Sequence, residues 1–310
     1  GEHLQDQDAP ETEPAVVGES DQLDAIRLVN PVRNRWRVGA QLKGGSKAAT
    51  NLLVTIPVPN EWPEQKVSVY EENIPSEVRS VNYRELNSNV RQLVATIPRL
   101  NANQLIELTV TFDVETFEIE GPTDPSGLQL PGRLPRDIKQ YTGVSPQISY
   151  RNSKLRNQVK EIIAGEELAW KKVEAIFEWV TANIKYSGDE PTDTVEVFRQ
   201  RSGSSEDLVG LFVAMCRAAK VPARMVWVEG AQYAEFYLVD KAGAGHWFPC
   251  QVAGRREFGS NAEPRIILQK GDNIKVPEKK LRQKFCAEFI TGSGKAKPRY
   301  RFIRELLPAN

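Results

Sequence analysis

The hydrophobic period of this chain changes once, and the change divides it into two folding problems. Trp36, Val38, Ala40 and Leu42 alternate with polar or small residues, and Ile106, Leu108, Val110, Phe112 and Val114 alternate with Glu107, Thr109, Thr111 and Asp113. A period of two puts one face of a strand on a core and the other in water. Shorter apolar runs lie between them at 52–58, 67–70, 78–83 and 90–97, punctuated by Gly44-Gly45-Ser46, Pro59-Asn60 and Asn87-Ser88-Asn89. Beyond a stretch rich in Gly and Pro at 121–136 the period lengthens. Leu155, Val159, Ile162 and Ile163, then Trp170, Val173, Phe177, Val180 and Ile184, fall on helical spacing. A strongly apolar helix follows over Leu208–Ala219, ended by Val221-Pro222, and the remaining apolar runs read as strands.

Six to eight short strands at this spacing predict an all-β, immunoglobulin-like sandwich over residues 23–120. Residues 121–136 read as a Pro/Gly-rich linker. Residues 137–310 read as an α+β domain, helices first and an antiparallel sheet after. Residues 1–26 carry eight acids and no Lys or Arg, so residues 1–22 are expected to be a flexible acidic tail. The chain begins at Gly1, as it would after removal of a leader or through cloning, and the acidic stretch suits the former. Basic and acidic residues number 41 each, so no global field holds the protein on nucleic acid or an anionic membrane. Residues 270–310 hold eleven basic residues against four acids, read as a solvated face. No apolar run approaches the roughly 20 residues of a membrane helix, so no membrane span is expected.

Reactive side chains are scarce. There are two histidines, His3 and His246, and three cysteines, Cys216, Cys250 and Cys286. That is too little for a disulfide framework or a structural zinc site. His246 and Cys250 alone do not make a metal site, so no metal and no cofactor are expected. Ser204 with Asp207 three residues on reads as a capping box opening the apolar helix.

Three stretches resemble the transglutaminase-like superfamily, whose fold is of papain type. The first is Ala175-Ile176-Phe177-Glu178-Trp179-Val180 with Asn183-Ile184-Lys185-Tyr186. The second runs from Gly203-Ser204-Ser205-Glu206-Asp207 through Arg217-Ala218-Ala219 to Val221-Pro222-Ala223-Arg224. The third is Tyr233-Ala234-Glu235-Phe236-Tyr237-Leu238 followed by Trp247-Phe248-Pro249. The resemblance implies a cysteine at a helix N-terminus, where unpaired N–H groups favour thiolate, with a histidine and an aspartate on facing strands. At those positions this chain has Ser205, Ala231 and Gln251.

No other residue fills the gap. If Leu238 pairs with His246, the imidazole lies at the turn end of the hairpin, more than ~20 Å along the strands from Ala231. Cys216 lies ~16 Å along the helix from Ser205, and Cys250 faces away from Gln251. The resemblance with all three triad positions replaced implies a catalytically inactive member with a binding or scaffolding role. The expected partner is a peptide or protein held in the vestigial cleft by Trp227, Tyr233, Glu235, Tyr237 and Trp247. The two-domain layout further implies an exported protein. The alternative is a working amidohydrolase or acyltransferase with a non-standard nucleophile.

Overall fold

The computed structural model describes residues 22–309, so the acidic tail expected over 1–22 lies, but for Gln22, outside the described residues. Six strands come first along the chain: β1 (Arg27–Lys43), β2 (Ala49–Val58), β3 (Gln65–Asn73), β4 (Ser80–Leu86), β5 (Val90–Leu100) and β6 (Leu105–Glu120). Their alternation has the expected consequence. Val38, Ala40 and Leu42 of β1 and Leu108, Val110 and Phe112 of β6 turn inward and meet Leu52, Val54 and Ile56 of β2 and Leu93, Ala95 and Ile97 of β5. Two sheets thus close over one apolar core. Asn87 and Ser88 make the tight turn from β4 to β5 with φ of 50° and 57°, a left-handed conformation that Asn tolerates better than most residues.

The helical half opens with α1 (Arg136–Lys139), α2 (Ser153–Ile163) and α3 (Ala169–Asn183). Next come β7 (Lys185–Tyr186), α4 (Thr194–Gln200), β8 (Ser202–Gly203) and α5 (Ser205–Ala218). The sheet of this half is built from β9 (Ala223–Val228), β10 (Ala231–Val239), β11 (Gly245–Gln251), β12 (Glu257–Phe258) and β13 (Ile267–Lys270). The chain ends with β14 (Phe289–Ser293) and β15 (Arg299–Pro308). Residues 207–217 of α5 are buried all round, because α5 is the central helix. It packs against α2, α3 and α4 on one side and β9 and β10 on the other. Ala234, Phe236 and Leu238 of β10 and Phe248 and Cys250 of β11 share its core. Among the described residues no helix is long and apolar enough to cross a membrane.

The two halves are not separated where the sequence suggested. One sheet runs in the order β12-β11-β10-β9-β13-β5-β2-β14, with β4 on β5, so it passes unbroken from the helical half into the sandwich. The other runs β15-β1-β6-β3. The last two strands, expected within an α+β unit of 137–310, therefore complete the N-terminal sandwich. The reason lies in β1, whose seventeen residues have two edges. β6 takes one, and β15 takes the other from Asn34↔Pro308 to Lys43↔Arg299. β14 covers β2 in the same way. Nor is 121–136 a bare linker: Leu128 is buried in the helical core, and Gln129 exchanges both backbone hydrogen bonds with Val239 (2.8 and 2.9 Å).

Deleting residues 289–309 should abolish cooperative unfolding of the sandwich, because it strips one edge from each sheet. Calorimetry would check this. A truncated chain melting at the full-length temperature would contradict the shared architecture.

Candidate functional site

The start of α5 is built by three residues. Asp207 donates its backbone N–H to Ser204 Oγ (3.2 Å), and Ser204 returns its own to Asp207 Oδ2 (3.0 Å), closing the capping box. Asp207 Oδ1 also accepts from the Thr192 backbone (2.8 Å). Gly203 is required here, since a Cβ would fall 2.7 Å from Asp207 Cβ. Ser205 follows as the first helical residue, half-buried, and its Oγ has no hydrogen-bond partner among the described residues.

The hairpin of β10 and β11 has the register expected of it, with Leu238 opposite His246 and Ala234 opposite Cys250, which carries Gln251 to the level of Tyr233. Ala231 packs with Val226, Val228, Tyr233 and Ile267 beneath Trp62. That is the sheet face away from α5, because the alternate residues Ala234, Phe236 and Leu238 face the helix. Lys284 pairs with Glu206 (3.0 Å), while Phe285 stacks on Trp227 (4.8 Å), itself opposite Gln232. Ser205 and Ala231 thus lie at one end of the sheet but belong to opposite layers. Among the described residues no hydrogen bond joins Ser205, Ala231 and Gln251. His246 is at the far end, its Nε2 2.7 Å from Asp240 Oδ2. That bond, with the Ala244 and Ala242 backbone N–H groups, holds the Asp240 carboxyl below its ordinary range.

The thiols are equally withdrawn. Burial pushes the Cys216 and Cys250 thiols well above their ordinary range, and both sit in the helical core. Burial also raises Cys286, to about 12. None is positioned to be a thiolate at neutral pH.

Of the five cleft candidates, Trp227, Tyr233 and Tyr237 are buried in cores. Trp227 spends its indole N–H on the Gly271 carbonyl (2.9 Å), and Tyr237 packs on Trp247 (5.2 Å). Glu235 is also buried, but in a charge cluster. Arg224 Nε donates to its Oε2 (2.8 Å) and Lys270 Nζ to its Oε1 (2.6 Å), and Lys270 also pairs with Glu64. Glu235 borders a small cavity, and Trp247 borders both that one and a larger one. Arg224 lies 3.9 Å over its ring, and both line a cavity of about 690 Å³ with Trp62, Tyr141 and Arg136. A second cavity of about 230 Å³ adjoins it past Glu64, Glu235 and His246. Arg224, Lys270, Glu64, Trp62, Tyr141 and Arg136 are not among the site residues expected from the sequence. One signal was present: Arg224 and Glu235 fall directly opposite across the β9–β10 turn, a cross-strand charge pair within two apolar strands.

Residues 156–252 match the model of the transglutaminase-like superfamily, and the chain contains a transglutaminase-like domain there. It is 23% identical over 195 residues to an uncharacterized protein of Haemophilus influenzae, a match covering 59% of this chain and 51% of that protein. The chain thus spans about half the length of that curated relative. A solved structure from Cytophaga hutchinsonii, described as a candidate cysteine protease, shares the fold with a TM-score of 0.57. It covers 92% of this chain and 94% of its own at 16% identity, a level that speaks to fold alone.

Glu235 gives the site its pH dependence. Burial raises its carboxyl, but Lys270 and Arg224 more than offset this and hold it below the ordinary 4.5. A depressed carboxyl contributes stability above its unfolded pKa, lost as pH falls through the folded value. Glu235→Gln should cost about 3–5 kcal/mol at pH 7, because it leaves buried cations uncompensated. It should also flatten the fall in stability below about pH 4.5. Urea titrations from pH 7 to 3 check both. A variant as stable as the parent would contradict the ion-pair assignment.

Proposed function

We propose that this transglutaminase-like protein performs no acyl chemistry and acts by binding a peptide or protein partner. The observation that carries the reading is the state of its nucleophiles. All three thiols are buried with raised pKa, and His246, the one imidazole among the described residues, is engaged by Asp240 at the end of the hairpin remote from Ser205. An unassisted serine is a poor nucleophile at neutral pH. Ser205 opens a helix whose N-terminus is already satisfied by Ser204 and Asp207, so its position is explained without catalysis. The helical core and sheet persist around these positions because they rest on apolar packing, which the replaced side chains did not supply.

The N-terminal layers support the finer reading of an immunoglobulin-like sandwich through the pairings β2–β5, β5–β4 and β6–β3. β1 lies between β6 and β15 in the second sheet. Such a module ahead of a silent papain-type domain suits a scaffold in an exported assembly. A partner would meet the junction of the two halves, where Trp247 opens onto the 690 Å³ cavity.

Incubation with a glutamine peptide and a primary amine, and separately with casein as a hydrolysis substrate, tests the reading. No product above the buffer rate is expected, and Ser205→Ala should be indistinguishable from the parent. Turnover that Ser205→Ala removes would establish an active enzyme instead.

A further inference from the structure

The junction cavity is furnished for one ligand chemistry. Its floor is Arg224, more than nine-tenths buried yet lining the cavity. Glu235 takes one edge of the guanidinium, with Nε and Nη2 each 2.8 Å from Oε2. A guanidinium is planar and rigid, so engagement of that edge leaves Nη1 pointing away from Glu235. The Trp247 ring (3.9 Å) and the Tyr141 ring (5.0 Å) pack against it. Stacked, ion-paired arginines present their remaining donors with little entropy left to lose.

Tyr141 adds a second donor. Its hydroxyl accepts from Asn89 Nδ2 (2.7 Å) and lies against the Arg224 guanidinium, both of them donors, so its own proton is left for another acceptor. The residue cannot drift, because its carbonyl is held by Arg217 Nε (3.0 Å) and the Ala223 N–H (3.1 Å). Arg136 stands at the rim, exposed and without a hydrogen-bonded partner among the described residues. Its short helix is tied to the sandwich turn through Asn87 Nδ2 and Gln140 Oε1 (2.8 Å). Of the charged residues lining the cavity, two are cations and one, Asp137, is an anion. Burial, and then the charge of Asp137, raise the Tyr237 hydroxyl above its ordinary range. The volume lies within the usual range of about 300–1,000 Å³ for small-ligand sites.

We infer that this cavity binds the carboxylate of a peptide, received between Arg136 and Arg224 with Tyr141 donating to it. The inference rests on the binding reading above and gives it a place and a chemistry. The aromatic walls of Trp62 and Trp247 flank the residue that carries the carboxylate. The site lies between the sandwich and the sheet face away from α5, so it is separate from the Ser205 end of the domain.

Three probes titrated against tryptophan fluorescence test it: N-acetyl-Ala-Ala, N-acetyl-Ala-Glu amide and the neutral N-acetyl-Ala-Ala amide. At least one carboxylate probe should bind about tenfold or more tightly than the neutral amide. The better of the two identifies a chain terminus or a side chain as the source. Arg136→Gln, at an exposed position that leaves the fold intact, should erase the preference. Equal affinity for all three probes, no binding of any, or a preference that survives Arg136→Gln would overturn the assignment. Mass spectra of the recovered probes separate this from the functional reading. A cleaved probe with the preference intact would sink the inactive reading and leave the site standing.

Discussion

The fold turns on a buried group of four charges. Lys270 bridges Glu64, from the sandwich, and Glu235, from the hairpin, and Glu235 in turn holds Arg224 on the neighbouring strand. All four are nearly excluded from water. Such a group is costly to bury, and replacement by apolar residues is often neutral for stability. Its value is directional. It admits one placement of the sandwich loop against the sheet, and it orients the Arg224 guanidinium toward the cavity. A parallel arrangement anchors the central helix, where Asp272 accepts from Arg217 Nη2 (2.9 Å), Ser145 Oγ (2.6 Å) and the Met225 N–H (3.0 Å).

The transglutaminase-like fold does not rest on the residues at positions 205, 231 and 251. The apolar face of β10 packs on α5 through Ala234, Phe236 and Leu238, and the polar face is secured by the charge group. Neither uses the residues at positions 205, 231 and 251. Ala231 fills a small apolar cluster under Trp62, an environment hostile to an imidazolium. Next to Trp247 on the polar face, the sandwich and the sheet enclose space.

Local features were legible in the sequence because they depend on neighbours. The capping box at Ser204 and Asp207 and the register Leu238↔His246 both follow from spacing. So does the placement of Cys250 in the core, opposite in facing to Gln251. Long-range pairing was not legible. Nothing in Arg299–Pro308 specifies β1 as its partner more than 250 residues earlier, since an edge strand carries little side-chain signal for its neighbour. The cavity was hidden for the same reason. Trp62, Arg136, Arg224 and Trp247 come from four separate segments. Aromatic content pointed to Trp227 and Tyr233, but aromatic residues in central strands are used for packing, as their burial here demonstrates.

The most direct measurement is thiol reactivity in the native protein, followed by intact mass after iodoacetamide at neutral pH. The expected result is no alkylation of the folded chain and three adducts after unfolding, matching Cys216, Cys250 and Cys286. A single thiol that alkylates rapidly in the folded protein would reveal a poised thiolate and contradict the proposed absence of acyl chemistry.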